Sequence, residues 1–138
     1  MTPVRVLLAE DNEDHRFLTV RALSDLEGVE LEIETAADGE EALDAISERR
    51  PDLVLLDIRM PKVSGLEVLR RLKADPELRS IPTVMLSSSD RSEDITEAYE
   101  LGTSSYVTKP ATAAGMKKGL RQLGEYWGRL VSLPSGAS

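Results

Sequence analysis

The stretch Leu53-Val54-Leu55-Leu56-Asp57-Ile58-Arg59-Met60-Pro61-Lys62-Val63-Ser64-Gly65 decides how the chain is read. Four consecutive apolar residues end abruptly in a carboxylate. An unbroken apolar run of this kind marks a strand buried on both faces, whereas a half-exposed strand alternates. Pro61 and Gly65 then signal a loop, and Leu66, Leu69 and Leu72 recur at helical spacing until Pro76 breaks the pattern. Buried strand, acidic end, loop and helix make one step of a parallel α/β sheet.

The same step repeats in both directions. Upstream, Val4 to Ala9 reads as a short buried strand that stops at Glu10-Asp11-Asn12-Glu13-Asp14. Phe17, Leu18, Ala22 and Leu26 then follow helical spacing, with Asn12 or Asp14 suited to cap that helix. Glu30 to Ala36 alternates, with Leu31 and Ile33 on one side, and reads as a second strand. Asp38-Gly39 reads as a turn, and Ala42, Leu43 and Ile46 mark a helix that stops near Pro51.

Downstream, Thr83-Val84-Met85-Leu86 forms a fourth strand ending in Ser87-Ser88-Ser89. Asp90 or Ser92 suits the cap of the next helix, which carries Ile95, Ala98 and Tyr99 and ends at Gly102. Ser105 to Thr108 is a fifth strand, closed by Lys109-Pro110. A last helix starts near Thr112 and carries Met116, Leu120, Leu123, Trp127 and Leu130 at steps of four and three. Residues 1–131 are thus expected to form one domain with a long C-terminal helix, and residues 132–138 a disordered tail. The alternation predicts a doubly wound, five-stranded parallel sheet with helices on both faces.

Composition removes several classes of function. A chain of 138 residues suits one domain. No apolar run approaches the ~20 residues of a membrane helix, and Val4 to Ala9 is too short for a signal-peptide core. The absence of cysteine excludes disulfides and thiolate chemistry, and a single histidine, His15, excludes a histidine-rich metal site. These features fit a cytoplasmic protein. A net charge of −8 opposes direct binding to nucleic acid. Neither a P-loop nor a dinucleotide fingerprint is present.

Ligands of open α/β sheets bind beyond the carboxyl ends of the strands. Strand one ends in Glu10 and Asp11, strand three in Asp57, strand four in Ser87 and strand five in Lys109. Three carboxylates, a hydroxyl and an ammonium are therefore expected on one edge. Clustered carboxylates repel, so one of them must titrate high or a cation must sit among them. With no imidazole or thiolate expected nearby, an all-oxygen site suits Mg²⁺. An aspartate nucleophile, a hard cation, an ammonium and a hydroxyl donor meet the needs of phosphoryl transfer.

These residues resemble the receiver domain of bacterial two-component response regulators, with its flavodoxin-like fold. The resemblance spans Val4 to about Leu130. It rests on Leu7-Leu8-Ala9-Glu10-Asp11-Asn12, on Leu53 to Gly65, on Pro82-Thr83-Val84-Met85-Leu86-Ser87 and on Tyr106-Val107-Thr108-Lys109-Pro110, in that order. It implies that Asp57 accepts a phosphoryl group from a sensor histidine kinase. It further implies that Asp11, Asp57 and the Arg59 carbonyl hold Mg²⁺, with Glu10 acting through water. Ser87 and Lys109 would contact the phosphoryl oxygens, and Tyr106 would follow Ser87 inward. The helix 4–strand 5–helix 5 face would then change its partner preference, so the protein signals and turns over only its own aspartyl phosphate.

No output domain is expected after the last helix, which implies a regulator that acts by protein contact or as a phosphate sink. The Tyr126-Trp127 segment, continuing through Leu130 to Pro134, resembles the small regulators paired with bacterial phytochrome kinases. Tyr126, Trp127 and Leu130 are accordingly candidate interface residues of a homodimer formed through helix 4, strand 5 and helix 5. The alternative is an adaptor that keeps the receiver fold and works without phosphorylation. A haloacid-dehalogenase-type enzyme fits poorly, because Glu10 to Asp14 lacks its Asp-x-Asp nucleophile pattern.

Overall fold

A computed structural model describes residues 3–24, 30–88, 91–109, 115 and 118 of the chain. Leu26, Ser89, Asp90, Pro110, the interface candidates Tyr126, Trp127 and Leu130, and the expected tail lie outside these residues. Gly115 and Lys118 are helical.

Five strands and four helices alternate among the described residues. They are β1 (Val4–Ala9), α1 (Glu13–Ser24), β2 (Leu31–Ala36), α2 (Gly39–Glu48), β3 (Leu53–Leu56), α3 (Gly65–Ala74), β4 (Thr83–Ser87), α4 (Ser92–Glu100) and β5 (Ser105–Thr108). All strand pairs are parallel, in the order β2-β1-β3-β4-β5. The chain moves outward from β1 to β2, then returns to the other side of β1 to lay down β3. The crevice at this reversal lies between the carboxyl ends of β1 and β3, where Glu10, Asp11 and Asp57 stand.

The unbroken apolar runs are explained by two cores. Successive strand side chains point to opposite faces. Leu7, Ala9, Val54, Leu56 and Met85 therefore meet Ala42 and Ile46 of α2 and Val68, Leu69 and Leu72 of α3. Val6, Leu8, Leu53, Leu55 and Val84 face the other way, onto Leu23 and Val20 of α1. Each fully buried Leu or Val contributes ~1.5–3 kcal/mol relative to exposure, which locks the register of the central strands.

Helix α1 forms where the helical spacing of Phe17, Leu18 and Ala22 indicates, with an unexpected rotation. Phe17 is 61 % and Leu18 37 % exposed, while Thr19, Ala22 and Leu23 face the sheet. A polar Thr19 is tolerated there because its hydroxyl donates to the His15 carbonyl at 2.7 Å. The apolar pair at 17 and 18 thus marks the solvent side. Asn12 caps this helix by accepting from the His15 N–H at 3.0 Å.

Two further boundaries differ from the sequence reading. Asp38-Gly39 is a helix start, because Asp38 accepts from the Glu41 N–H at 2.8 Å and Gly39 opens α2. A side chain at Gly39 would overlap the Val63 carbonyl, so glycine allows the loop after β3 to lie against α2. At α4 the cap position is Arg91, without a side-chain cap bond, and Ser92 is already helical.

Candidate functional site

Glu10 leaves β1 while still held by the sheet. Its N–H donates to the Ala36 carbonyl at 3.0 Å, and the Arg16 guanidinium donates to the Glu10 carbonyl at 2.8 Å. One strand over, the Asp57 N–H donates to the Ala9 carbonyl at 3.0 Å. Both carboxylates are buried, whereas Asp11 is exposed. One oxygen from each of Glu10, Asp11 and Asp57 lies within 4.8 Å of the others.

Lys109 enters from the far side. The Lys109 N–H donates to the Ser87 carbonyl at 2.8 Å, so the end of β4 carries the end of β5. The buried ammonium donates to Asp57 Oδ2 at 3.0 Å and pairs with Glu10 Oε1. Burial pushes the Glu10 carboxyl up to about 7, against the pull of Lys109 and with the Asp57 charge adding to the rise. The rise comes first from burial, and the neighbouring Asp57 carboxylate only adds to it.

The remaining expected residues surround this cluster. Ser87 is buried at the end of β4 and lies opposite Thr108 of β5. Tyr106, opposite Met85, is half-buried against the core packed by α2 and α3. Arg59 is exposed in the loop two residues beyond Asp57. That loop is held close by Gly65, where a side chain would overlap the Asp57 carbonyl oxygen. Its N–H donates to the Ile58 carbonyl at 2.8 Å, and Ser64 caps α3.

One member of the site escaped the sequence reading, which placed no imidazole nearby. His15 Nδ1 lies 3.3 Å from Lys109 Nζ and 3.9 Å from Glu10 Oε1. The signal was the short spacing from the β1 terminus to the first turn of α1. A residue there lies above the strand ends, but which side chain faces inward depends on the rotation of the helix.

The cluster has the donor chemistry of a hard divalent cation. Three carboxylates, one of them open to solvent, suit an ion that keeps several waters. The ammonium shared by Glu10 and Asp57 shows that positive charge is favoured between them.

The sequence pattern of the response regulator receiver domain matches residues 6–121. A probable methanogenesis regulatory protein, FilR2 of Methanothrix harundinacea, is 39 % identical over 131 residues, covering 91 % of this chain and 84 % of that protein. Response regulator Rcp1 of Synechocystis is 31 % identical over 140 residues, covering 96 % and 95 %. Its Mn²⁺-bound crystal structure superposes with a TM-score of 0.92, at 96 % and 100 % coverage. The phosphorylated cyanobacterial phytochrome response regulator RcpA is 35 % identical and gives a TM-score of 0.93, covering 97 % of this chain and all of that one. The chain therefore belongs to the response regulator receiver domain family.

Proposed function

We propose that this protein is a response regulator whose Asp57 accepts a phosphoryl group from the phosphohistidine of a sensor kinase. The observation that carries the reading is the buried Lys109 ammonium shared between Glu10 and Asp57. It ties the acceptor to strand β5, so a change of charge at Asp57 is felt on the α4–β5 side. In the proposed step an Asp57 carboxylate oxygen attacks phosphorus, the phosphorus–nitrogen bond breaks and the imidazole leaves. The product is an acyl phosphate.

Asp11, Asp57 and the Arg59 carbonyl are the proposed Mg²⁺ ligands, with Glu10 acting through water. Bound Mg²⁺ supplies charge neutralisation at the phosphoryl oxygens. Lys109 holds one of those oxygens and Ser87 donates to another. Tyr106 then follows Ser87, and two pre-existing conformations exchange population. Turnover of the aspartyl phosphate is the only chemistry proposed.

The likeness to Rcp1 and to RcpA, a phytochrome response regulator, supports a bacteriophytochrome as the kinase partner. We assign a homodimer to the α4–β5 face continued by the last helix, with Tyr126, Trp127 and Leu130 in the contact. Tyr99 of α4, 51 % exposed, supports this choice of face. Residues 1–131 act as the receiver unit. No described helix is long and apolar enough to cross a membrane, and a cytoplasmic location is proposed.

Intact-mass spectrometry after incubation with acetyl phosphate and Mg²⁺ tests the acceptor role. One phosphoryl adduct is expected, absent in Asp57→Ala and in EDTA. Its absence from the wild type, with no binding of beryllofluoride, supports the phosphorylation-independent adaptor instead. Sedimentation of wild type beside Trp127→Ala tests the dimer, and a wild-type monomer at high concentration refutes it.

A further inference from the structure

We infer that His15 is a positioning residue for the Lys109 ammonium, accepting a hydrogen bond from it through Nδ1 of a neutral ring. The inference rests on the phosphoacceptor reading of Asp57 and assigns a role to a side chain outside the acidic cluster. A lysine ammonium has three N–H donors. Glu10 Oε1 and Asp57 Oδ2 take two of them, and His15 Nδ1 stands 3.3 Å from the same nitrogen.

The ring is well placed for this. The His15 N–H is held by Asn12 Oδ1 at 3.0 Å, and the His15 carbonyl accepts from the buried Thr19 hydroxyl at 2.7 Å. The backbone on both sides of the side chain is thereby fixed at the first turn of α1. A protonated ring would set two cations against each other. The neutral Nδ1 acceptor instead leaves Nε2 carrying the proton.

The consequence concerns the ammonium when its carboxylate partners are engaged elsewhere. Glu10 and Asp57 are the groups expected to turn toward a cation or a phosphoryl group. His15 Nδ1 faces the ammonium itself, at 3.3 Å. It keeps Lys109 aimed at the Asp57 oxygens by a contact that needs no negative charge.

The single histidine makes the test direct, because its ring nitrogens give one assignable set of signals. In metal-free wild type, long-range proton–nitrogen NMR in alkaline buffer should show the Nε2–H tautomer. In Lys109→Met, which leaves no donor at that place, the tautomer ratio should shift towards Nδ1–H. A predominantly Nδ1–H ring in the wild type overturns the inference whether or not the protein is phosphorylated.

The rate of adduct formation from acetyl phosphate adds a second reading. His15→Leu should slow it about fivefold, and His15→Asn, whose amide oxygen can accept at a similar place, should recover most of the loss. A wild-type rate in His15→Leu also overturns the inference. A wild type that forms no adduct counts against the phosphoacceptor reading instead, and the tautomer measurement still decides the His15–Lys109 contact.

Discussion

Lys109 Nζ lies 3.0 Å from Asp57 Oδ2, although β4 runs between the two strands that end at these residues. The ammonium spans the sheet edge and continues to Glu10 at the end of β1. Three strand ends are thus tied by one cation, and the site is part of what holds this edge together.

Removing that cation should expose the repulsion it offsets. In EDTA, Lys109→Gln is expected to lose roughly 3 kcal/mol of stability, as a buried pair does when one partner is deleted. Adding Mg²⁺ should stabilise the variant more than the wild type, since a divalent ion restores the missing charge. Urea unfolding of both proteins with and without Mg²⁺ checks this, and equal gains would refute a shared place for the two cations.

Stability should depend on pH in the direction set by Glu10. Its carboxyl sits at about 7 in the folded protein against 4.5 for the unperturbed group. Between these values the folded state binds more protons than the unfolded chain. The contribution is therefore full below the unfolded value and is lost as pH rises through about 7. In EDTA this group should cost up to ~3 kcal/mol between about pH 5 and 8. Glu10→Gln should remove that slope, and parallel urea midpoints for the two proteins across the interval would contradict the assignment.

Gly65→Ala tests the packing behind the acceptor. The new methyl group would overlap the Asp57 carbonyl oxygen, which is backbone and has little room to yield. A loss of at least ~2 kcal/mol is expected, together with slower adduct formation because Asp57 moves with its carbonyl. A thermal melt and the acetyl phosphate assay measure the two effects. A fully stable, fully reactive variant would show that the loop accommodates the methyl group.

Asn12 joins the site to the start of α1. Its side chain caps the helix at the His15 N–H, and its own N–H donates to Glu10 Oε2 at 3.2 Å. Asn12→Ala should cost ~1 kcal/mol in thermal or urea unfolding, and Asn12→Ser should retain most of it. Equal losses in both variants would show that the cap bond is not the source of the stabilisation.

Much of this was legible in the order of residue types. The runs Val6 to Ala9, Leu53 to Leu56 and Val84 to Leu86 announce buried strands, because a strand that is apolar at every position must be covered on both faces. Once the elements alternate, chain connectivity sends the strand ends to one edge. Glu10, Asp57 and Lys109 could therefore be grouped without knowing a distance. Charge alone called for a raised carboxyl or a cation among the three, but the assignment of the raised carboxyl to Glu10 required knowing which carboxylate is buried.

Rotation about helix axes was not legible. Phe17 and Leu18 carry the strongest apolar signal in α1, yet Thr19, Ala22 and Leu23 face the sheet. The Thr19 hydroxyl satisfies itself on the His15 carbonyl, which removes the cost of burying it. The same rotation brings His15 against Lys109, where composition had offered only a lone histidine. Asp38-Gly39 likewise reads as a turn until the approach of Val63 shows why the glycine opens a helix. Periodicity and connectivity act along the chain and belong to the sequence. Side-chain facing and close backbone approach depend on which surfaces meet, and only the tertiary structure decides that.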